Sequence, residues 1–112
     1  MKATQVNQTN VIAKAVQFVN KFKMDINDAV RKGIMLEQLR NRMVNGEMVK
    51  FKYMKVDGSI RCAIGTLQAD VVAANTKANG TYHKPMGTFC YIDLERFGWR
   101  SFKEERLIEI LN

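Results

Sequence analysis

Residues 47–67 read EMVKFKYMKVDGSIRCAIGTL. Apolar and polar side chains alternate from Met48 to Val56 and again from Ser59 to Leu67, the period of two that a strand with one buried face requires. Asp57-Gly58 separates the two runs, and both residues tolerate the positive φ of a type I′ turn. A two-residue turn would set Val56 opposite Ser59, Tyr53 opposite Cys62, Phe51 opposite Ile64 and Val49 opposite Thr66. One face of this hairpin is then Val49, Phe51, Tyr53, Ile60, Cys62 and Ile64. The other carries Lys50, Lys52, Met54, Arg61, Ala63 and Gly65. A slip of one residue would carry charge into the core, so the register is expected to be well determined.

Upstream the period lengthens to 3.6. Over residues 10–24, Ile12, Ala15, Val16, Val19 and Phe22 form the apolar stripe of a helix, with Asn10, Lys14, Gln17 and Lys21 on the opposite face. Asp25 and Asn27 are candidate N-caps of a second helix, because a short side-chain oxygen can accept from free first-turn amides. Val30, Ile34, Leu36, Leu39 and Met43 give it a stripe. Gly33, inside that run, predicts a close helix crossing or a break. Asn45-Gly46 supplies a stop, since both residues adopt the left-handed conformation readily.

Downstream, residues 68–87 have no clean period and contain Asn79-Gly80, Lys84-Pro85 and Gly87, so they read as one long connection. Thr88–Asp93 predicts a third strand and Gly98–Phe102 a fourth. A four-residue loop between them sets Tyr91 opposite Arg100, Phe89 opposite Phe102, and Ile92 beside Trp99. Lys103–Arg106 fits a single helical turn, and Leu107–Leu111 a last strand. The expected architecture is α+β in one domain over 1–112: a helical part, 1–46, followed by a small five-stranded SH3-like or Sm-like β-barrel, 47–112.

The charge is segregated. Residues 1–56 hold eleven Lys or Arg against four Asp or Glu, whereas residues 57–112 hold seven of each, so the net +7 belongs to the helices and first strand. Such a field favours nucleic acid or an acidic protein partner; a purely solubilising surface charge is the bland alternative. No run of 18 apolar residues exists, so no membrane association is expected. The start, MKATQVNQTNVIAKA, lacks a long apolar stretch and reads as an ordinary domain beginning. Cys62 and Cys90 are accordingly expected to be core-filling thiols in the cytoplasm, unbonded to each other.

No catalytic constellation emerges. His83, the only histidine, lies among cations in a loop and reads as solvated. Asp93 and Glu95 flank a turn, where Asp commonly bonds local backbone. The glycines are dispersed, which excludes a phosphate loop. No metal site, no cofactor and no enzymatic activity are expected. What remains is cations interleaved with aromatics: Lys50, Lys52 and Arg61 on one hairpin, and Trp99, Arg100, Lys103 and Arg106 on the other. Cations hold phosphates and aromatic faces stack on bases, so these seven residues are the candidate nucleic-acid-binding site.

Val49-Lys-Phe-Lys-Tyr53, Asp57-Gly-Ser-Ile-Arg61, Gly65-Thr-Leu67, Tyr91-Ile-Asp-Leu-Glu95 and Trp99-Arg-Ser-Phe-Lys103 together resemble small proteins described as SH3 β-barrel fold-containing. That family, of unknown function, occurs in Bacteroides-type gut bacteria and their phages. The resemblance implies a bacterial or phage source, with a cytoplasmic or virion location. A more distant similarity is to WYL domains, Sm-like barrels of bacterial regulators that sense ligands or bind nucleic acid. Arg100-Ser-Phe102 and Glu105-Arg106-Leu107 echo their late motif, while Phe89-Cys90-Tyr91 replaces the triplet that names them. This similarity singles out Arg100 and Arg106. The resulting expectation is a nucleic-acid-binding accessory or regulatory protein, with a protein-interaction or virion assembly component as the alternative. The two differ in whether Lys50, Lys52, Arg61, Arg100, Lys103 and Arg106 form one continuous patch.

Overall fold

The computed structural model describes residues 6–76 and 86–112; His83, Asn79-Gly80 and Lys84-Pro85 lie outside them. Two helices come first, α1 (Gln8–Phe22) and α2 (Ile26–Val44). Asn7 caps α1 by accepting from the Asn10 amide, and Asp25 caps α2 by accepting from Asn27 and Asp28. The strands are β1 (Val49–Met54), β2 (Ile60–Thr66), β3 (Thr88–Asp93), β4 (Gly98–Lys103) and β5 (Leu107–Ile110), with a single 3-10 turn over Glu104–Arg106. All pairings are antiparallel, in the order β4-β3-β2-β1-β5. The α+β, Sm-like architecture is therefore present, as a curled open sheet in place of a closed barrel: β4 and β5 are its two edges.

The β3–β4 register is the one a four-residue loop requires, with Tyr91 opposite Arg100 and Phe89 opposite Phe102. The β1–β2 register is not the expected one. Tyr53 lies opposite Arg61, Phe51 opposite Ala63 and Val49 opposite Gly65. The loop has three residues, Val56-Asp57-Gly58, closed by Gly58 N–H donating to Lys55 C=O (2.9 Å) and Lys55 N–H donating to Ser59 C=O (2.7 Å). Gly58 has φ +90°, the left-handed position that ends a three-residue hairpin loop. Asp57 Oδ1 accepts from the Ser59 amide and hydroxyl, which holds the turn. Every β2 side chain is consequently on the face opposite to expectation. Arg61, Ala63 and Gly65 point inward, while Ile60 and Cys62 are exposed. Cys62 and Cys90 are free thiols, and Cys62 is a surface residue, not a core filler.

The core joins Val49, Phe51, Tyr53, Phe89, Tyr91, Phe102 and Leu107 to Leu36, Leu39 and Met43 of α2. Phe102 stacks on Tyr53 (centroids 4.7 Å apart) and on Phe89 (5.2 Å), while Tyr91 meets Phe51 edge-on at 5.0 Å. Gly65 permits this crowding: a Cβ there would sit 2.6 Å from the Tyr91 ring.

On α1 the buried residues are Val11, Ala15 and Phe18, whereas Ile12 is 62% exposed, Val16 49% and Phe22 41%. The helix is rotated so that the neighbouring row faces inward. Gly33 explains the choice, because its missing side chain lets the α1 backbone approach; a Cβ would lie 3.1 Å from the Val11 carbonyl oxygen. The connection after β2 also differs from expectation: it contains a short helix, α3 (Ala69–Asn75), capped by Gln68 Oε1 accepting from Val71 N–H.

Candidate functional site

Arg61, read as a surface cation, is the centre of a polar cluster inside the sheet. The shifted register points it inward, where its Nη2 donates to Asp93 Oδ2 at 2.5 Å. Asp93 has no exposed surface. Its other oxygen accepts from the amides of Glu95 and Arg96, closing the β3–β4 turn. Burial opposes charge on Asp93 most strongly. The Arg61 bond and the two amides outweigh it, so the carboxyl stays below the usual carboxylate range. The bond from Asp93 raises the affinity of Arg61 for its proton. Beside them Tyr53 and Tyr91 join hydroxyls at 3.0 Å, and burial pushes the Tyr91 phenol up. Among the described residues no buried side-chain nitrogen or oxygen lacks a partner. This cluster is satisfied from within, and Arg61 is committed to it.

The other candidates fall into separate groups. Lys50 and Lys52 stand on the outer face of β1, opposite Ile64 and Cys62, and Lys52 also lies opposite Glu109 of β5. Arg106 donates from Nη1 to the Lys55 carbonyl at 3.0 Å, tying the 3-10 turn to the β1–β2 hairpin. Trp99, Arg100 and Lys103 come together along the edge strand β4. Trp99 is half-buried on the outer face, donating from Nε1 to Thr76 Oγ1 at 3.3 Å. Arg100, on the inner side opposite Tyr91, and Lys103 are both exposed. The six basic residues therefore do not form one continuous patch, which removes the continuous surface expected of the nucleic-acid reading and leaves only the β4 group to carry it.

A cleft of about 580 Å³ lined by the helices, β3 and β4 was not legible in the sequence. Its apolar lining includes Leu36 and Val44 of α2 with Leu67, Val72, Phe89 and Trp99; its charged residues are Lys14, Glu37, Arg40 and Glu104. Lys14 Nζ lies 2.8 Å from Glu104 Oε1, both largely shielded from water. Lys32 Nζ donates to the Glu105 carbonyl, and burial lowers its pKa, partly offset by Glu105 and Asp28. Two helical cations are thus spent on docking the helices to the 3-10 turn. Within the cleft, Lys14 and Arg40 balance Glu37 and Glu104, so it is no phosphate channel. The row Asn10, Lys14, Gln17 was the available signal, but its polarity assigned it to solvent.

Among the described residues no group of three or more His, Cys, Asp or Glu could hold a metal ion, and no helix is long and apolar enough to cross a membrane. A family model described as WYL_2, Sm-like SH3 beta-barrel fold, matches residues 36–108, from the middle of α2 to β5. No curated protein and no solved structure matches the chain. The similarity read from Arg100-Ser-Phe102 and Glu105-Arg106-Leu107 as the more distant one is thus the one that spans the domain.

Proposed function

Because this chain belongs to the WYL_2 family of Sm-like SH3 beta-barrel domains, we propose that it is a non-enzymatic binding module that holds single-stranded nucleic acid along β4. The observation that carries this reading is the grouping on one edge strand of a half-buried indole, Trp99, with two exposed cations, Arg100 and Lys103. Neither cation has an acidic partner within ion-pair distance among the described residues. An aromatic face takes a base regardless of its identity, and neighbouring cations take the phosphates on either side. An edge strand suits a backbone that must run past the domain. Lys50 and Lys52 belong to a different face and are secondary contacts in this reading; Arg61 is excluded by its bond to Asp93. An accessory or regulatory role is compatible with the family; a cytoplasmic setting in a bacterium, or a role for its phage, is proposed from the resemblance of the second half alone.

Trp99 is the only tryptophan, which makes the test direct. Titration with single-stranded oligonucleotides should quench its fluorescence. The Arg100→Ala/Lys103→Ala variant should flatten the plot of log affinity against log salt by roughly 0.7 per lost contact. Binding with an unchanged salt slope and no quenching would move the interface elsewhere. Absence of binding at low salt would end the nucleic-acid reading. A protein-interaction role is the second reading, favoured by the exposed apolar face of the helices.

A further inference from the structure

We infer that Phe97, in the turn between β3 and β4, is a second base platform of the β4 site. The inference rests on the nucleic-acid reading above and extends that site by one nucleotide, whose base stacks on the Phe97 ring beside the base at Trp99. A conflict at this one residue motivates it. Phe97 has φ +50°, a left-handed backbone that bulky side chains rarely adopt. Its ring is also 76% exposed. Glycine or asparagine would fit that backbone with less strain and would leave no apolar ring in water. Neither the turn nor the core gains from a phenylalanine here.

The strained conformation is held from beneath. Asp93 Oδ1 accepts from the amides of Glu95 (2.9 Å) and Arg96 (3.1 Å), and Leu94 N–H donates to the Ile64 carbonyl at 2.9 Å. Arg61 holds the second oxygen of Asp93. A strained residue persists where its surroundings over-determine it, and such residues cluster at contact sites. Arg61, which touches no nucleic acid in this reading, is therefore a positioning residue for the turn.

What the ring meets follows from its neighbours. From Gly87 to Lys103 no other large apolar side chain is exposed. One ring offers on the order of 150 Å², against roughly 800 Å² per partner in a standard protein interface. A single base is a partner of matching size and flatness. Phe97 precedes Trp99 by two residues, at most about 7 Å of chain, and successive bases of a single strand stack on successive aromatic side chains. Arg96 is exposed and has no acidic partner within ion-pair distance among the described residues. Glu95, also exposed, offsets that charge on the same turn. The turn thus contributes stacking and little net charge.

Titration of the full chain with single-stranded oligothymidylate, followed by Trp99 fluorescence, tests this. Phe97→Asn removes the ring yet suits the left-handed backbone. It should weaken binding about 5- to 100-fold, with the same quenching at saturation, the same salt slope and a melting temperature no lower than that of the wild type. Phe97→Tyr, which keeps a ring, should bind as the wild type does. Wild-type affinity in Phe97→Asn, with Trp99 still quenched, would overturn this inference and leave the β4 reading standing. A lower melting temperature in Phe97→Asn would overturn it as well, by making the ring a structural element. A wild-type chain that neither binds nor is quenched at low salt would end the β4 reading and this inference together.

Discussion

Replacing Arg61 by Met removes the guanidinium and leaves Asp93, which has no exposed surface, without its partner. Breaking a buried pair from one side costs about 3–5 kcal/mol, because an uncompensated charge remains. The side chain of Arg61 keeps 19% of its exposure, so water relieves part of this and about 3 kcal/mol is the expected loss. Asp93→Asn should cost less, about 1–2 kcal/mol, because an amide oxygen still accepts from Glu95 and Arg96. The double variant should be more stable than the sum of the two losses predicts, by 1 kcal/mol or more in magnitude, roughly the coupling of residues in one network. Urea denaturation of the four proteins measures all three quantities. The pH dependence adds a sign. In the wild type the Asp93 carboxyl is held below its unfolded value, so its contribution is present above about pH 4 and fades as pH falls through the folded value. In Arg61→Met burial dominates and raises the carboxyl, so lowering the pH should relieve the destabilisation. An Arg61→Met loss under about 1 kcal/mol, or a pH trend of unchanged sign, would refute the assignment of Arg61 to the core.

Gly65→Ala should cost about 1–3 kcal/mol by overpacking, seen as a lower urea midpoint, because the new methyl meets the Tyr91 ring at 2.6 Å and Phe51 at 3.3 Å. In native protein a maleimide should label Cys62 quickly, since it is exposed while Cys90 is only partly so; a Cys62 that labels only on unfolding would contradict the β1–β2 register. Lys50→Ala/Lys52→Ala should leave the melting temperature nearly unchanged, because both side chains lie on the outer face of β1 and neither is paired among the described residues.

The places where sequence and structure part company share a cause. The β3–β4 register was legible because Asp93 and Gly98 bracket a loop of unambiguous length. For β1–β2, Asp57-Gly58 fits both a two-residue and a three-residue loop, and the two differ by one residue of register. Keeping Arg61 outside selects the two-residue loop, but a guanidinium is welcome inside when a carboxylate awaits it, and Asp93 is 32 residues away in the chain. On α1 apolar side chains occupy two adjacent rows, so local pattern alone could not choose between Val11–Phe18 and Ile12–Val19. Gly33 made the choice through a contact across the hairpin. Of the candidate site, the β4 group survives because one strand carries it. The cleft escaped notice because its walls come from helices and strands far apart in sequence, and α3 because seven residues are too few to display a period.

The link from Lys14 to Glu104 spans 90 residues, and β5 pairs with β1 over shorter separations, as in Phe51 with Ile110 and Tyr53 with Leu107. During synthesis the helical hairpin emerges first, followed by β1 with one side unpaired. Until Glu104–Ile110 leave the ribosome, β1 lacks its second neighbour and the helices lack the 3-10 turn on which they seat. A nascent chain would therefore wait with an open strand edge and an undocked helical layer, the species most prone to aggregate. Deleting Leu107–Ile110, which pair with β1, should therefore lower the yield of soluble protein sharply.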